Sequence, residues 1–566
     1  MSNSSSTGLP SLTKWQLAII LGTPVAAGLG YLCYKNMCKE LSPDSAKDSD
    51  KKKIKGKTVD TIPRPKTPLE MAVDLKMRGN EFFKKNDFDS ALKSYTEAIE
   101  TCPPEEKETL CLFYQNRAAV YDKLKQHENV IKECTAALEL NPKYRKALIR
   151  RASSYEAVQD LKSALEDITA VCILDNFSDQ SILRVADKLL QEYGKRNAKN
   201  IVDNRKPTLP SKNYVKTYLS TFSYDPVLSN LDSSTNNHVS DSGDSGLDKA
   251  LRLFKEEKYD KVIEAAEEEL SRPEEDVDEN RKKQAELLIA TMNIFCDQRN
   301  KALDQLTAII DAENVDPKIA VNALIKRAAL YFQSQEIEKC YEDFEKAVKI
   351  DEDIADIYHH RGQIHILMNQ IKDAKIDFAV ALSKNPDSPI IAVQKCYIDF
   401  RYAQVNESSA FAEECLKNFK TLIDKYPKCV ECYFMYAQVL MAMQDYENAE
   451  YYIKEASKID PTNATLYVHR GLLKFQWTGR PEEGVEFIEK AIKLDDRCEL
   501  AYETLGTLKV QNGNLEEAIS CFEKALEIAK SEVEITHILS LKFAAEAQLN
   551  VATRFNLYKN NRVVVS

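Results

Sequence analysis

The chain has 566 residues, with 78 Lys and Arg against 89 Asp and Glu, for a formal net charge of −11. Hydrophobic residues make up 43% and charged residues 30%, a globular balance that excludes wholesale disorder and a multi-span membrane protein. Only 15 Gly and 19 Pro argue against a turn-rich all-β architecture, and the acidity disfavours nucleic acid as the main partner, because phosphate must be met by clustered cations.

Residues 1–14 read as a short tail. Trp15 to Tyr34 then runs twenty residues without a charge. As a helix it would be about 30 Å long, enough for the hydrocarbon core of a bilayer. Trp15, Tyr31 and Tyr34 lie near its ends, where aromatic rings favour the interface, and Gly22, Ala26 and Gly30 make a small-residue stripe suited to helix packing. A cleaved secretory signal is the rival reading, but it needs a basic stretch before the apolar core, and only Lys14 is there. After the span come Lys35, Lys39, Lys47, Lys51, Lys52, Lys53, Lys55 and Lys57. Basic flanks stay cytosolic, so residues 15–34 are expected to be a single-pass anchor with the C-terminal bulk in the cytosol. Residues 35–71 read as a basic linker.

From Ala72 onward the apolar pattern is helical and repeats. Within Ala72–Glu105, Gly79, Phe82, Ala91, Tyr95, Ala98 and Pro103 fall at positions 8, 11, 20, 24, 27 and 32 of a 34-residue frame. Cys111–Tyr144 gives Ala118, Tyr121, Ala137 and Pro142 at matching places, and Arg145–Ser178 gives Ala152, Tyr155 and Ala164. This pattern resembles the tetratricopeptide repeat: small residues where two helices cross, bulky ones between them, Pro closing the second. Residues 72–178 are thus three repeats. The second departs from the pattern at Val130 and Cys134, where Ala and an aromatic are usual.

Five polar residues lie on the first helices of these repeats: Lys76 and Asn80, Asn116, then Lys146 and Arg150. Each i, i+4 pair shares one helix face, and first helices line the concave side of such stacks. Five donors with no acid among them complement two carboxylates, as offered by a peptide ending in Asp. A few charge-assisted hydrogen bonds in an open groove suggest affinity of about micromolar. The plainer reading, solvated surface Lys and Arg, suits any one of the five better than the set. The spacing resembles the dicarboxylate clamp of tetratricopeptide co-chaperones, which implies binding of the Glu-Glu-Val-Asp tails of cytosolic 70- and 90-kDa heat-shock chaperones.

Residues 179–246 read as a helix and then a flexible linker, with Pro207, Pro210 and Pro226 and the Ser-, Asp- and Asn-rich run LDSSTNNHVSDSGDSG. Residues 247–566 read as a second block. Gly362, Ala374, Phe378, Ala381 and Pro386 mark the repeat 355–388, Ala437, Ala449, Ala456 and Pro461 the repeat 430–463, and Gly506, Ala518, Phe522 and Ala525 the repeat 499–532. Frames near 243–276, 281–316 and 389–429 are degenerate. The expected count is about eleven repeats, three before the linker and eight after, with a capping helix over 533–555. The fold class is therefore all-α, a tetratricopeptide superhelix in two blocks with one N-terminal transmembrane helix.

The 14 Cys are scattered and read as small core residues in a reducing compartment. Cys429 and Cys432 form a lone CxxC without a second ligand pair, so no metal site is expected, and His359, His360 and His365 read as helix-surface residues. No cofactor is implied. An enzyme carrying repeats as a targeting module would need about 100 non-repeat residues with catalytic signatures, and none is present.

An N-terminal anchor, a clamp module and a long second block, with TAVCILDNF after the third repeat, resemble the 70-kDa receptor subunits of the mitochondrial outer-membrane translocase. That resemblance implies a non-catalytic, cytosol-facing receptor with its N-terminus in the intermembrane space. It would accept chaperone-delivered hydrophobic precursors, such as inner-membrane carriers, bind them through the second block, and act with other translocase subunits at the import pore. A chaperone adaptor on another membrane, such as the endoplasmic reticulum, is the alternative that shares the clamp.

Overall fold

The computed structural model describes residues 66–204, 209, 211–228, 246–273, 278–559 and 562–563. The expected tail 1–14, the anchor 15–34 and most of the basic linker lie outside these residues. Among the described residues, no helix is long and apolar enough to cross a membrane.

The described chain is helical almost throughout. In order come α1 (Pro68–Lys84), α2 (Phe88–Thr101), α3 (Lys107–Lys123), α4 (His127–Leu140), α5 (Arg145–Ala157), α6 (Leu161–Leu174), α7 (Gln180–Asn204) and α8 (Lys212–Ser220). Then follow α9 (Leu247–Lys255), α10 (Val262–Leu270), α11 (Glu279–Phe295), α12 (Arg299–Asp311), α13 (Pro317–Gln333), α14 (Ile337–Ile350), α15 (Ala355–Leu367), α16 (Ile371–Lys384), α17 (Pro389–Val405) and α18 (Ser409–Lys425). The last are α19 (Val430–Ala442), α20 (Tyr446–Ile459), α21 (Ala464–Thr478), α22 (Pro481–Leu494), α23 (Glu499–Gln511), α24 (Leu515–Ile528) and α25 (Glu532–Arg554). A hairpin of two-residue strands, Tyr558–Lys559 and Arg562–Val563, lies at the end of the described chain and leaves the class all-α. The three degenerate frames also fold as helix pairs, α9–α10, α11–α12 and α17–α18.

The 34-residue step has a local cause. Residues at frame position 15 adopt the left-handed conformation that reverses the chain between paired helices: Asn86, Lys125, Gln159, Gln335, Asn369 and Gln444 have φ of 56° to 64°. At position 16, the carboxylates of Asp87, Asp160 and Asp445 accept from the third backbone N–H of the helix that follows. At position 8 the paired helices touch: a Cβ on Gly79 would sit 2.6 Å from the Tyr95 ring, so only glycine permits this crossing. Val130 and Cys134, the departures in the second repeat, are fully buried and pack as ordinary core.

The described residues fall into two compact units. The amino-terminal unit holds residues up to 200, then 509–522, and the chain from 536 onward; the carboxy-terminal unit holds 201–508 and 523–535. Helix α25 was expected to cap the second block. From Thr536 it packs instead on α6 and α7: Tyr193 stacks on Phe543 with ring centroids 4.1 Å apart, and Ser540 Oγ donates to the Leu190 carbonyl at 3.1 Å. The physical reason is the open end of a repeat stack. The third repeat and α7 have an apolar face, and Ala547, Val551 and Phe555 bury it.

The expected linker also differs. Residues 211–228 form α8 and a buried turn, with Val215, Tyr218, Phe222, Val227 and Leu228 in the core of the carboxy-terminal unit. The histidines are corrected too. His359 and His360 are buried rather than on the surface, His365 is partly buried, and no group of side chains among the described residues could hold a metal ion. The described cysteines are free thiols, nearly all buried, and burial pushes Cys111 and Cys172 up to about 11.

His469 on α21 is also fully buried, beside the Phe434 ring, with neither ring nitrogen hydrogen-bonded. Burial pulls its pKa down to about 3. Below pH about 6.5 the unfolded chain takes up a proton that the folded chain refuses, so stability falls as pH falls through the window from about 6.5 to 3. We expect this group to remove about 2 kcal/mol between pH 7 and pH 5. Urea titrations of the parent and His469→Phe at the two pH values check this. An equal pH dependence in both would exclude His469 as a source.

Candidate functional site

The five expected clamp residues sit on α1, α3 and α5, the first helices of the three repeats in the amino-terminal unit. Thr67 starts α1 with a capping box: its hydroxyl accepts from the Glu70 N–H while the Glu70 carboxylate accepts from the Thr67 N–H. One turn of the same helix separates Lys76 from Asn80, and on α5 one turn separates Lys146 from Arg150.

A direct contact joins two of the five, and a third reaches the residue beside them. Asn80 Oδ1 accepts from the Tyr95 hydroxyl at 2.7 Å and from Asn116 Nδ2 at 3.5 Å. Arg150 Nη1 donates to the carbonyl of Gln115, next to Asn116, at 3.1 Å. Asn80, Asn116 and Arg150 therefore form one polar strip across α1, α3 and α5. Lys76 and Lys146 lie one turn along from its two ends, and neither has an ion-pair partner among the described residues. The Gly79–Tyr95 crossing sets this geometry, because the ring that demands glycine also holds Asn80 through its hydroxyl.

The sequence suggested donors with no acid nearby. The structure adds one: Asp122 Oδ2 lies 3.6 Å from Arg150 Nε, with 45% of the Asp122 side chain exposed. An exposed pair of this kind is weak and exchangeable, and it competes with an incoming carboxylate for the guanidinium. Asp122→Asn is accordingly expected to strengthen binding of a Glu-Glu-Val-Asp peptide by about two- to fivefold. Calorimetry giving equal or weaker binding would remove Asp122 from the site.

A second set of residues escaped the sequence reading. Arg117 Nε and Nη2 donate to the two Glu133 oxygens at 2.8 and 2.9 Å, and Nη1 donates to Thr96 at 3.0 Å. Arg151 grips Asp167 through two bonds of 2.7 Å and reaches Thr135 at 3.0 Å. Each arginine follows directly on a strip residue, Asn116 or Arg150, and ties its helix to the second helix of the same repeat and to the preceding repeat. Burial works against the Arg151 charge, but the hydrogen bonds and charge of Asp167 outweigh it, and the pKa is raised. The signal was present: Arg at frame position 7 with an acid at position 23. The same pair recurs as Arg327–Asp343 and Arg361–Asp377 in the carboxy-terminal unit. A search for apolar periodicity passes over it because both partners are charged.

The tetratricopeptide repeat family matches at residues 113–144, 321–354, 430–463 and 500–532. The human mitochondrial import receptor subunit TOM70 is 37% identical across 97% of this chain and 94% of its own length. The chain belongs to the TOM70 family of mitochondrial import receptor subunits. The Rattus norvegicus TOM70 is 36% identical over 97% of the chain and 94% of its own length. The crystal structure of yeast Tom70 matches with a TM-score of 0.49 and 23% identity, covering 86% of this chain and 97% of that one. Membership of the TOM70 family makes the chain an import receptor built from tetratricopeptide repeats.

Proposed function

We propose that this receptor takes precursors from cytosolic chaperones, docking the chaperone by its acidic C-terminus in the amino-terminal unit. Lys76, Asn80, Asn116, Lys146 and Arg150 are the proposed clamp for the Glu-Glu-Val-Asp tails of the 70- and 90-kDa heat-shock chaperones. The observation that carries this reading is the polar strip of Asn80, Asn116 and, through the Gln115 carbonyl, Arg150, with Lys76 and Lys146 one turn away and without an ion-pair partner among the described residues. Two carboxylates on a terminal Asp complement such a strip through charge-assisted hydrogen bonds. An open groove screens those bonds, which suits a reversible complex of about micromolar affinity.

In this reading the carboxy-terminal unit receives the hydrophobic precursor, for example an inner-membrane carrier, and hands it to the translocase pore. Residues 15–34 hold the chain in the mitochondrial outer membrane with the repeats in the cytosol. The lysines from Lys35 to Lys57 support that orientation, since basic flanks stay cytosolic. The receptor works by binding and transfer.

Arg150→Ala is expected to weaken binding of a Glu-Glu-Val-Asp peptide about tenfold, or roughly 1.4 kcal/mol. Isothermal titration on the full chain measures it, with Lys346→Ala as a remote control. Undiminished affinity would reject the clamp.

A further inference from the structure

Residues 211–228 belong to no repeat, yet they fill space in front of the first helices of the carboxy-terminal unit. Helix α8 places Tyr214 and Tyr218 on one face at i and i+4, and Phe222 follows two residues past its end. The rings of Tyr214 and Tyr218 meet Phe295 of α11 edge-on, with centroids 5.9 and 5.0 Å away, and Phe222 lies 4.4 Å from the His360 ring of α15. Lys530 Nζ stands 4.0 Å over the Tyr214 ring and donates to the Phe295 carbonyl. First helices form the inner wall of a tetratricopeptide stack, so the segment lies where a peptide guest would lie.

Two buried charges on that wall are committed to the segment. The Asp356 carboxylate accepts from the Ser223 N–H at 2.9 and 3.1 Å and from the Tyr224 N–H at 3.3 Å. Lys326, 1% exposed, donates to Asp225 at 3.1 Å and to Thr291 at 2.8 Å. A buried lysine and a buried aspartate need partners of opposite character. These take a carboxylate and a pair of backbone N–H groups, both of which any peptide can supply.

The fit is incomplete at one end. A cavity of about 280 Å³ remains between Ser220–Ser223 and the wall formed by Asn385, Asp387, Ser388 and the start of α17, with His359 also lining it. At the other end the ties are polar and close to solvent: Ser211 to Asp495, Asn213 to Thr465, and Lys216 to Asp460. Such ties are weak. The Ser- and Asp-rich run after the segment has no repeat signature, so no repeat spacing fixes the segment in place.

We propose that residues 211–228 are a resident occupant of the groove, displaced when a precursor binds. The groove then takes a peptide with the occupant's chemistry: two aromatic or large apolar side chains one helical turn apart, a third just past the helix end, and a carboxylate three residues beyond it. The guest's carboxylate takes Lys326, and its backbone N–H groups take Asp356. This rests on the reading of the carboxy-terminal unit as the precursor site. A tethered occupant keeps an apolar groove covered when no guest is present, and its high local concentration raises the affinity a guest needs. Guests that match only part of the pattern lose that competition.

The test is hydrogen exchange on the full chain, with and without a urea-denatured inner-membrane carrier diluted into it, binding being scored by crosslinking in the same samples. Amides of residues 214–228 are expected to exchange at least tenfold faster when the carrier is bound. Carrier bound with those amides still protected would overturn the occupant model while leaving the precursor site intact. No crosslink at all would reject both. A second arm uses Tyr218→Ser with Phe222→Ser, which detaches the occupant and should raise carrier crosslinking at least threefold. Equal or lower crosslinking, in a variant whose circular dichroism matches the parent, also overturns the proposal.

Discussion

A chain ending at Ser531 is expected to lose most of the stability of the amino-terminal unit, and with it acidic-peptide binding, although the deletion begins nearly four hundred residues beyond Arg150. Helix α25 buries Ala545, Ala547, Val551 and Ala552, and Phe555 is buried just past its end. The helix also joins α6 through Asn550 Nδ2, which donates to Glu166 at 3.0 Å, and Arg554, which lies 3.6 Å from Asp167. Re-exposing these side chains costs about 1–3 kcal/mol for each large one, together a sizeable share of the 5–15 kcal/mol that holds a domain folded. Asp167 is the partner of Arg151, which follows Arg150, so the loss reaches the clamp by a short path. Calorimetry should show the transition of the amino-terminal unit more than about 10 °C lower in the shortened chain. Peptide titration should show binding at least tenfold weaker. An unchanged transition with unchanged affinity would make α25 a mere appendage.

Arg327→Ala is expected to be the most costly single substitution in the carboxy-terminal unit, at about 3–5 kcal/mol. The guanidinium meets both Asp343 oxygens at 2.8 and 2.7 Å and reaches Thr307 at 3.0 Å, with 6% and 2% of the two charged side chains exposed. Removing it leaves a buried carboxylate whose nearest other cation, Lys346 at 3.8 Å, is 54% exposed. Burial lowers the Arg327 pKa and the Asp343 interactions more than restore it, so the charge is held rather than tolerated. The double variant Arg327→Met with Asp343→Leu should recover most of the loss, because apolar pairs of similar volume replace buried ion pairs at little cost. Lys458→Ala, which breaks an exposed pair with Glu455, should cost under about 0.5 kcal/mol. Urea midpoints of the four proteins decide the matter. A loss below 1 kcal/mol in Arg327→Ala would show that the stack does not depend on this pair.

The repeat architecture was legible because its causes are local. A helix crossing demands a small residue at position 8, a left-handed turn sits at position 15, and a helix start takes Asp at position 16; each leaves a mark at fixed spacing. The positions of the five proposed clamp residues could be read for the same reason. They lie on first helices at set frame positions, so the periodicity that predicts the helices also predicts which side chains share a face.

The remainder depended on contacts between residues far apart in the chain. Residues 211–228 mix Ser, Thr, Lys and Asn with four aromatics, and the i, i+4, i+8 spacing of three of these is too short to outweigh that composition. Their burial is fixed by Phe295, Lys326 and Asp356, roughly 70 to 130 residues further along. His359 and His360 looked like surface residues because helical position alone cannot say that another segment will cover them. Asp122 is separated from Arg150 by a whole helix, and α25 reaches the third repeat after more than 350 intervening residues. By itself the sequence determined the helices, their pairing and the faces they present, since those follow from spacing within 34 residues. Only the tertiary structure decided what covers each face, because closing a long loop leaves no periodic trace in the residues at its two ends.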